Sequence, residues 1–271
     1  MRGIPLTKHV AILGCGPAGL MAAHAANMMG WSLDIYSKKV KSQLHGAQYL
    51  HKPIPKIDTG GPNLIEYRLR GTPEEYRSKV YGDSWDGTVS PEDLAENHQA
   101  WDLRQAYDWL WKEFGPWIIN CDIKPMPYIS PNLWNAIHKS DLVISTVPRK
   151  IWAQEGDVFE STKIWALGDG DPEGGLASQN DFTVICDGTN ICNWYRSAKI
   201  FGHSTLEWPY AELWRKPPAP GAVIVEKPLR CSSVGAGDFK FVGRYGAWEK
   251  GILTSDVFYQ AMKVFADDKI S

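Results

Sequence analysis

Residues 9–26, with the sequence HVAILGCGPAGLMAAHAA, decide the fold expected for this chain. An aliphatic run leads into Gly14, Gly16 and Gly19, spaced G-x-G-x-x-G, and then into an Ala-rich stretch. This order predicts a strand, a tight turn and a helix, the context in which such glycines bind a dinucleotide. Gly14 permits the turn, Gly16 lets a pyrophosphate approach the backbone, and Gly19 lets the helix pack on the strand. The phosphates would bind the unpaired N–H groups at the helix start.

Residues 31–36 predict the second parallel strand of a βαβ unit. An acidic residue that would hold the ribose hydroxyls is expected about 20 residues after the glycines, but Ser37 stands there, followed by Lys38 and Lys39. A hydroxyl and two cations favour a phosphorylated ribose, as in NADP, whereas the alternative is a solvated basic turn. The identity of the cofactor therefore has to come from other parts of the chain.

Composition narrows the function classes. The 29 basic and 31 acidic residues nearly balance, so no overall field favours nucleic acid or an anionic membrane. The five cysteines are scattered without a C-x-x-C pair, which predicts a reducing compartment and no metal site. No secretory signal and no stretch of about 18 to 20 apolar residues is visible, so a cytoplasmic protein is expected. The 13 tryptophans indicate an aromatic surface or pocket.

Along the chain, residues 41–55 predict a structured loop, in which residues 46–50 would return to the cofactor and lie behind its ring system; the alternative is a turn that packs on the core. Beyond them, patterning predicts a short strand at 64–69, a short helix from Pro73 and a longer helical stretch from Ser90 to about Phe114. Strands at 117–123 and 141–148, with a short helix near 132–138 between them, return to the first domain. Strands at 158–165, 182–187, 194–207 and 222–229 predict an antiparallel sheet. A last strand at 239–246 and a helix from Gly251 close the chain.

Three segments together resemble one family. The strand ending in Gly243 and Arg244, the aromatic turn with Tyr245 and Trp248, and the helix from Gly251 resemble the C-terminal flavin-binding motif of the glutathione-reductase-like flavoproteins. The likeness is greatest to the amine oxidase and UDP-galactopyranose mutase branch. Residues 141–148, DLVISTVP, resemble the D-x-V-I-x-T-x-P strand of the same group, and the glycine motif occurs in the same order. The resemblance implies FAD.

With this resemblance the expected fold is α/β, a Rossmann-like FAD-binding domain with an inserted mixed α+β substrate domain that contains the antiparallel sheet. The FAD-binding domain comprises residues 1–57, 117–149 and 235–271, and the substrate domain residues 58–116 and 150–234. The motifs and the resemblance together imply these cofactor-binding residues: Gly14, Gly16, Pro17, Ala18, Gly19, Ser37, Lys38, Lys39, Ala47, Gln48, Tyr49, Leu50, Ile123, Val147, Gly243, Arg244, Tyr245, Trp248, Gly251, Ile252 and Leu253. Among them, the N–H groups of Ile252 and Leu253 would face the pyrimidine end of the flavin.

Candidate catalytic residues are few, because the chain has no G-x-S-x-G and no H-E-x-x-H motif. Residues 194–208 concentrate polar groups among aromatic ones. There Arg196 would bind a carboxylate or phosphate, and His203 would carry a proton; an ordinary ion pair and a solvated histidine are the alternatives. Gln48 is a further candidate.

The leading hypothesis is an FAD-dependent, amine oxidase-like enzyme that oxidises or cleaves a C–N or C–H bond of a small amine or amino-acid-like group, with dioxygen as electron acceptor. A redox-neutral mutase-like flavoenzyme and a non-enzymatic nucleotide-binding module are alternatives. Residues 46–51, GAQYLH, also resemble small flavoproteins of tailed bacteriophages. Some of these are lyases in DNA hypermodification that act on amino-acid-modified thymidine, which would make a modified base in DNA the partner and the host cytoplasm the location.

Overall fold

The computed structural model describes residues 7–46, 48–125, 127–168, 180–210, 217–232 and 239–268. Within these ranges the chain forms one β-sheet of five strands and one of seven, together with α-helices. The expected α/β class with a Rossmann-like sheet is confirmed. No helix in this part of the chain combines the length and apolar character that crossing a bilayer requires.

The five-stranded sheet carries the glycine motif. Its strands are β1 (His9–Leu13), β2 (Ser32–Ser37), β5 (Ile118–Asn120), β6 (Leu142–Ser145) and β12 (Phe239–Phe241). They lie in the order β12-β6-β1-β2-β5, and every neighbouring pair is parallel. Strands β1 and β6 are buried almost throughout, as is typical of parallel strands covered on both faces.

Helix α1 (Pro17–Met28) follows β1 through the glycine turn. Gly14 has a φ of +107°, which favours glycine, and donates its N–H to the carbonyl oxygen of Tyr36 at 2.9 Å. A Cβ on Gly19 would lie 2.0 Å from the carbonyl oxygen of Gly14. Only glycine therefore lets the helix begin so close to the strand, in agreement with the turn and packing roles expected for these two residues.

Two further helices pack against α1. They are α4 (Leu103–Phe114), whose start is capped by the carboxylate of Asp102, and α7 (Asp256–Asp268). Side chains of α1, α4 and α7 share one buried core with β1 and β2. Helix α4 comes from the segment assigned above to the substrate domain, yet it packs against α1 in the core of the first sheet. The division into domains stays a prediction.

The second sheet is larger and mixed. Its strands are β3 (Asn63–Arg70), β4 (His98–Ala100), β7 (Val158–Gly168), β8 (Thr183–Asp187), β9 (Arg196–Ile200), β10 (His203–Pro209) and β11 (Val223–Ser232). They lie in the order β11-β7-β10-β9-β8-β3-β4. Neighbours are antiparallel except β3 and β8. The antiparallel pairing expected among the strands at 158–165, 182–187, 194–207 and 222–229 is confirmed in β7 to β11. Strand β3, which was predicted outside that group, pairs parallel with β8, and the long connection between the two strands allows this crossover.

Three helices lie between the strands. Helix α2 (Pro73–Tyr81) begins with a capping box between Thr72 and Glu75, and α5 (Pro131–Lys139) confirms the short helix predicted there. The longer helix predicted from Ser90 is wrong. Helix α3 (Glu92–Ala95) ends after one turn, and β4 then pairs with β3 before α4 begins. Cross-strand pairing therefore outweighs the helical pattern between residues 96 and 102.

The closing segment also differs from expectation. The strand predicted at 239–246 ends at Phe241, and residues Gly243–Ala247 form a short helix, α6. The helix predicted from Gly251 begins only at Asp256, whose carboxylate accepts the N–H of Leu253 at 3.1 Å. The N–H groups of Ile252 and Leu253 are therefore not part of a helix start, and their expected position at one is wrong.

We expect Gly19→Ala to lower the free energy of unfolding by about 2 kcal/mol or more, because the new methyl group overlaps a backbone carbonyl that cannot move aside. Urea denaturation of the ligand-free protein measures the loss, because a bound nucleotide would add its own contribution to stability. The matched control is Gly16→Ala, since a Cβ there would meet only the Ser42 hydroxyl at 3.6 Å; the loss of a Gly cap should cost less than about 1 kcal/mol. Equal losses in the two variants would contradict the packing role of Gly19.

Candidate functional site

The glycine turn forms an open cradle at the start of α1. The helix has no side-chain cap at Gly16, so its first N–H groups are not used by a capping side chain. Thr146 and Val147, at the end of β6, lie against Gly14, and the Thr146 hydroxyl donates to the carbonyl oxygen of Leu13 at 2.9 Å. These contacts hold the carboxyl ends of β1 and β6 together. They leave the helix start free for an anionic group.

A basic segment follows β2 and runs beside the cradle. The N–H of Ser42 donates to the Tyr107 hydroxyl at 3.0 Å, and that hydroxyl donates to the carbonyl oxygen of Cys15 at 3.1 Å. Lys41 forms an ion pair with Asp108 and lies 5.5 Å from the centre of the Tyr107 ring. Helix α4 thereby fixes the segment against the glycine turn.

An open cavity of about 450 Å³ lies where this segment faces the second sheet. Its walls come from the segment after β2, from the first turns of α4, and from the ends of β7 and β10. The lining side chains are mostly polar or basic: Lys41, Ser42, Gln43, His45, Arg104, Tyr107, Asp108 and His203. Burial lowers the pKa of His45, which favours its neutral form. The cavity borders the cradle through Ser42, whose hydroxyl lies 3.6 Å from the position that a Cβ on Gly16 would take.

Helix α6 closes the other side of the cradle. A Cβ on Gly246 would lie 2.5 Å from the carbonyl oxygen of Ser145, and one on Gly243 would lie 3.1 Å from Cβ of Ala18. Arg244 donates to the carbonyl oxygen of Pro228 at 3.2 Å, while its Nε is buried without a hydrogen-bond partner among the described residues. The short helix therefore carries a cation to the junction between the cradle and the second sheet.

The remaining predicted cofactor residues are distributed between these surfaces and the core. Ser37 ends β2, and Lys38 pairs with Asp122 at 3.1 Å. Lys39 is exposed, and Ile123 packs at the edge of a hydrophobic cluster under the first sheet. Pro17 is the first residue of α1. Their roles in binding a cofactor stay predictions.

Several other predicted cofactor residues are used in packing. Leu50 is fully buried in the core around α1, and the buried Tyr49 contacts the Tyr67 hydroxyl at 3.1 Å on the second sheet. Trp248 is buried and donates to the carbonyl oxygen of Glu160 at 2.9 Å. Tyr245 donates to the carbonyl oxygen of Glu226, and Gly251 is exposed. Ala47 lies outside the described residues.

A buried carboxylate stands on the face of the second sheet that meets the loop at residues 44–46. Glu207 Oε2 accepts from Lys227 Nζ at 2.6 Å and from the Tyr195 hydroxyl, and Lys227 also donates to that hydroxyl at 3.0 Å. Arg196 Nη1 lies 4.0 Å from the same oxygen, and Arg196 Nη2 donates to the Tyr76 hydroxyl at 2.9 Å. These five residues are called the Glu207 cluster below.

The charges of the cluster are strongly coupled. Burial raises the pKa of Glu207, but the charges of Lys227 and Arg196 outweigh it and hold the pKa at about 2. Burial lowers the pKa of Lys227 to about 8, against the charge of Glu207, which raises it. Burial also raises the pKa of Tyr195. Near neutral pH the carboxylate is ionised and the lysine is close to its titration range.

Two glycines allow the loop to cross the sheet here. Gly46 has a φ of +81°, and a Cβ on it would lie 2.4 Å from Glu207 Oε1. A Cβ on Gly168, at the end of β7, would lie 3.3 Å from the carbonyl oxygen of Leu44. The backbone of residues 44–46 is therefore pressed against the sheet beside the Glu207 cluster. This contact joins the first sheet's unit to the second sheet.

The structure places one of the three predicted catalytic residues in this cluster. Arg196 belongs to it, and Gln48 is two residues from Gly46 and partly buried. His203 lines the cavity instead. It precedes Glu207 by four positions on β10, a separation of about 13 Å along a strand. Their roles stay predictions.

Sequence reasoning missed the partners of Arg196. Glu207, Lys227 and Tyr195 come from three strands, and only the register, in which Glu207 is opposite Arg196, brings them together. One signal was available. Glu207 stands between Leu206 and Trp208 in an otherwise buried strand, where an acidic residue requires a partner.

Several solved structures have a similar fold. The 2,6-dihydroxypyridine-3-hydroxylase from Arthrobacter nicotinovorans aligns with a TM-score of 0.58 and 12% identity, over 99% of this chain and 85% of that one. Tetracycline destructase Tet(51) aligns with a TM-score of 0.56 and 9% identity, over 98% and 83%. A variant of HpxO from Klebsiella pneumoniae, complexed with FAD, aligns with a TM-score of 0.55 and 12% identity, over 97% and 82%. This chain has the fold of FAD-binding flavoproteins.

The likeness is one of fold. No protein-family model matches the chain, and no curated protein sequence matches it. Within the described residues of this flavoprotein fold, no group of three or more His, Cys, Asp or Glu side chains could hold a metal ion. The cradle, the cavity and the Glu207 cluster are therefore the features from which function has to be argued.

We expect Glu207→Gln to change the dependence of stability on pH. The pKa of Glu207 is lower in the folded chain than its ordinary value of 4.5, so its contribution is complete above about pH 4.5 and is lost as the pH falls toward 2. At neutral pH the free energy of unfolding of the variant should be lower than that of wild type by on the order of 3 kcal/mol. Urea denaturation should show this difference shrinking in acid.

The control for that prediction is Glu66→Gln, because Glu66 pairs with Arg68 in an exposed ion pair. Exposed pairs contribute about 1 kcal/mol or less. A difference between wild type and Glu207→Gln that stays constant from neutral pH into acid would contradict an ionised buried carboxylate.

We expect Gly46→Ala to destabilise the chain more than Gly156→Ala. Both glycines have positive φ, of +81° and +91°, so both substitutions strain the backbone, but a Cβ on Gly156 would meet no atom within 4 Å. The additional loss at Gly46, about 1 to 3 kcal/mol from overlap with Glu207, is measured by thermal or urea denaturation. If the two variants lose the same free energy of unfolding, the loop at residues 44–46 can move away from Glu207 without an energetic cost, which would contradict this prediction.

Proposed function

We propose that the chain is an FAD-dependent oxidoreductase that acts on a small amine or amino-acid-like group. The observation that carries the proposal is the arrangement of three features in one region. The glycine cradle can bind a pyrophosphate, the cavity beside it extends toward the second sheet, and loop 44–46 brings the Glu207 cluster against the same region. A nucleotide cofactor and a polar substrate could thus be held next to each other.

The residues of the cradle fit FAD. Gly16 leaves space above the start of α1, and no capping side chain competes for the first N–H groups of the helix. Arg244 offers a buried Nε without a partner among the described residues. Gly14, Gly16 and Gly19 would hold the pyrophosphate, with Arg244 beside it. When bound, FAD supplies the two-electron oxidation, as in other flavoenzymes.

The chain's own residues would then manage protons and orientation. The pKa of Lys227 is about 8, so in the fraction of molecules in which Nζ is neutral it can accept a proton from a substrate ammonium group, which must become neutral before oxidation. Glu207 stabilises the protonated lysine that results, and Tyr195 fixes the carboxylate. Removing two electrons and two protons from an amine gives an imine, and dioxygen accepts them to form hydrogen peroxide.

Hydroxylation of a heterocycle is the second candidate. It is favoured by the fold, which is shared with a dihydroxypyridine hydroxylase and with HpxO, solved in complex with FAD and uric acid. The tyrosines near the cluster, including Tyr49, Tyr67 and Tyr76, would suit a flat ring. This reaction differs from amine oxidation in requiring an external reductant, and so the two are separable by experiment.

We expect the purified protein to carry flavin absorption bands and to release a molecule with the mass of FAD. Gly16→Ala should lower the affinity for FAD at least about tenfold, because a methyl group would stand where the phosphates approach the backbone. Fluorescence titration of the apoprotein with FAD measures the affinity. Val40→Ala, a change of an exposed residue in the neighbouring segment, serves as control. A colourless protein that binds NADPH instead would overturn the proposal and favour the role of Lys38 and Lys39 at a phosphorylated ribose.

Anaerobic mixing separates the candidate reactions. We expect candidate amines, free or attached to thymidine in DNA, to bleach the flavin bands directly, and air to restore them with formation of hydrogen peroxide. Bleaching by NADH or NADPH alone, followed by oxygen incorporation into a heterocycle, would support hydroxylation instead. A C–N bond cleaved without net consumption of dioxygen would indicate lyase chemistry.

A further inference from the structure

His24, on α1, is a buried titratable side chain that the proposed function does not use. It is only 2% exposed. Its Nε2 lies 2.9 Å from the carbonyl oxygen of Pro55, and because a carbonyl oxygen only accepts, Nε2 carries the proton of the neutral ring. Nδ1 is then unprotonated, and it is buried without a hydrogen-bond partner among the described residues. One nitrogen of the ring is thus bonded and the other is not.

The ring is enclosed by aromatic side chains. The ring centres of Trp109 and Phe114, on α4, lie 5.4 Å and 6.2 Å from that of His24, and Phe258 of α7 lies at 5.6 Å. Protonation would add an N–H at Nδ1 together with a positive charge. Both would be buried among apolar groups that offer no acceptor, which is costly. The enclosure therefore favours the neutral ring.

The charged groups that act on the ring come from the segment around Pro55 and from α4. Burial is the largest effect and lowers the pKa of His24, and the charge of Lys56 lowers it further. The hydrogen bond to Pro55 and the charge of Glu113, on α4, raise it. From α7 the ring contacts the uncharged Phe258. The net result is a pKa below the ordinary value of 6.5.

The hydrogen bond from His24 ties residues 53–57 to α1. These residues form neither a helix nor a strand, whereas the aromatic side chains around the ring belong to the helices α4 and α7. Ile54 and Ile57 of the segment pack in the core around α1. An irregular segment opens at a lower free energy than a packed helix. Residues 53–57 are therefore the part of the enclosure that we expect to open when the ring has to be hydrated.

We propose that His24 is a pH-sensitive switch: the neutral ring holds residues 53–57 against α1, and protonation of the ring favours their release. Release lets water reach Nδ1 and solvate the charge, which the closed enclosure does not allow. Residues 53–57 end the loop whose residues 41–45 contribute to the cavity wall, so the switch acts on the chain that forms part of that wall. It does not depend on which cofactor or substrate the chain binds.

The switch has a defined pH range. The unfolded chain binds a proton at His24 below about pH 6.5, whereas the folded chain, in which the pKa is lowered, binds it only at a lower pH. The stability that the neutral ring contributes is therefore complete above pH 6.5 and is lost as the pH falls through the pKa of the folded chain. In this range the folding equilibrium constant should fall by up to about tenfold per pH unit.

Urea denaturation of the ligand-free protein at a series of pH values measures this loss. The test variant is His24→Gln, whose side-chain N–H can still donate to Pro55 but which does not titrate. Wild type should lose stability relative to this variant below pH 6.5. His138→Gln, which changes an exposed histidine of α5, should follow the wild-type profile. Parallel profiles of wild type and His24→Gln over the whole pH range would overturn the switch.

Hydrogen exchange followed by mass spectrometry distinguishes local release from global unfolding. When the pH is lowered from about 7.5 to about 5.5, the amides of residues 54–57 in wild type should lose at least about fivefold more protection than those of β1, after correction for intrinsic exchange rates. His24→Gln should show no such difference between the two segments. An equal loss in both segments of wild type would mean that protonation acts on the whole fold, which would contradict the switch.

Nuclear magnetic resonance of the histidine rings in wild type decides the matter if His24→Gln does not fold. We expect the His24 ring to be protonated at Nε2 and unprotonated at Nδ1 near neutral pH, and to titrate below pH 6.5. A neutral ring that carries its proton at Nδ1 would overturn the switch, as would titration at or above pH 6.5.

Discussion

The ion pair between Glu207 and Lys227 is the constraint on which the arrangement of the second sheet and the loop at residues 44–46 depends. A carboxylate that is almost fully enclosed needs a cation and a hydrogen-bond donor. Lys227 of β11 supplies the cation, and Tyr195, just before Arg196 at the start of β9, supplies the donor. The buried carboxylate also restricts the loop at residues 44–46. Gly46 must have no side chain, because a Cβ there would overlap Glu207. The buried charge of Glu207 thus restricts which residues can stand opposite it on the neighbouring strands. It also restricts the path of the loop at residues 44–46.

The packing around the first sheet depends instead on close contacts between backbone segments, which glycines allow. Gly19 allows α1 to touch the turn at Gly14, and Gly246 allows α6 to touch the end of β6. Both contacts are between backbone atoms, and both occur at the carboxyl edge of the parallel strands, where open α/β sheets bind ligands. Because glycines stand at these contacts, no side chains fill the region at the carboxyl edge of the sheet, and a nucleotide could bind there.

Much of the first sheet could be predicted from the sequence, because its signals are local. The apolar strand, the glycine turn and the Ala-rich helix lie within 20 positions of one another, and residues 141–148 form an apolar run ended by a proline. The closing helix could not be placed correctly. Gly251 and the apolar spacing after it match a helix start, but α7 begins only at Asp256, whose carboxylate accepts the N–H of Leu253 in the loop before the helix.

The Glu207 cluster could not be predicted, because its members are distant in sequence. Alternation along a strand identifies which residues share a face but not which neighbouring strand supplies the partner. Arg196 was visible as a candidate since it stands in a polar stretch among aromatics, whereas Lys227 appeared in the pattern only as one polar residue of a strand. The parallel pairing of β3 with β8 escaped prediction for the same reason.

The strands of the first sheet are far apart in sequence, so the ribosome releases them at different times during synthesis. Strands β1 and β2 emerge early from the ribosome, β6 follows a hundred residues later, and β12 pairs with β6 only after residue 239 has been made. Until then β6 presents an unpaired edge, and α6 is absent from the mouth of the cradle. Contacts of such long sequence separation form slowly. The nucleotide-binding edge can therefore be completed only after every strand of the second sheet has been synthesised.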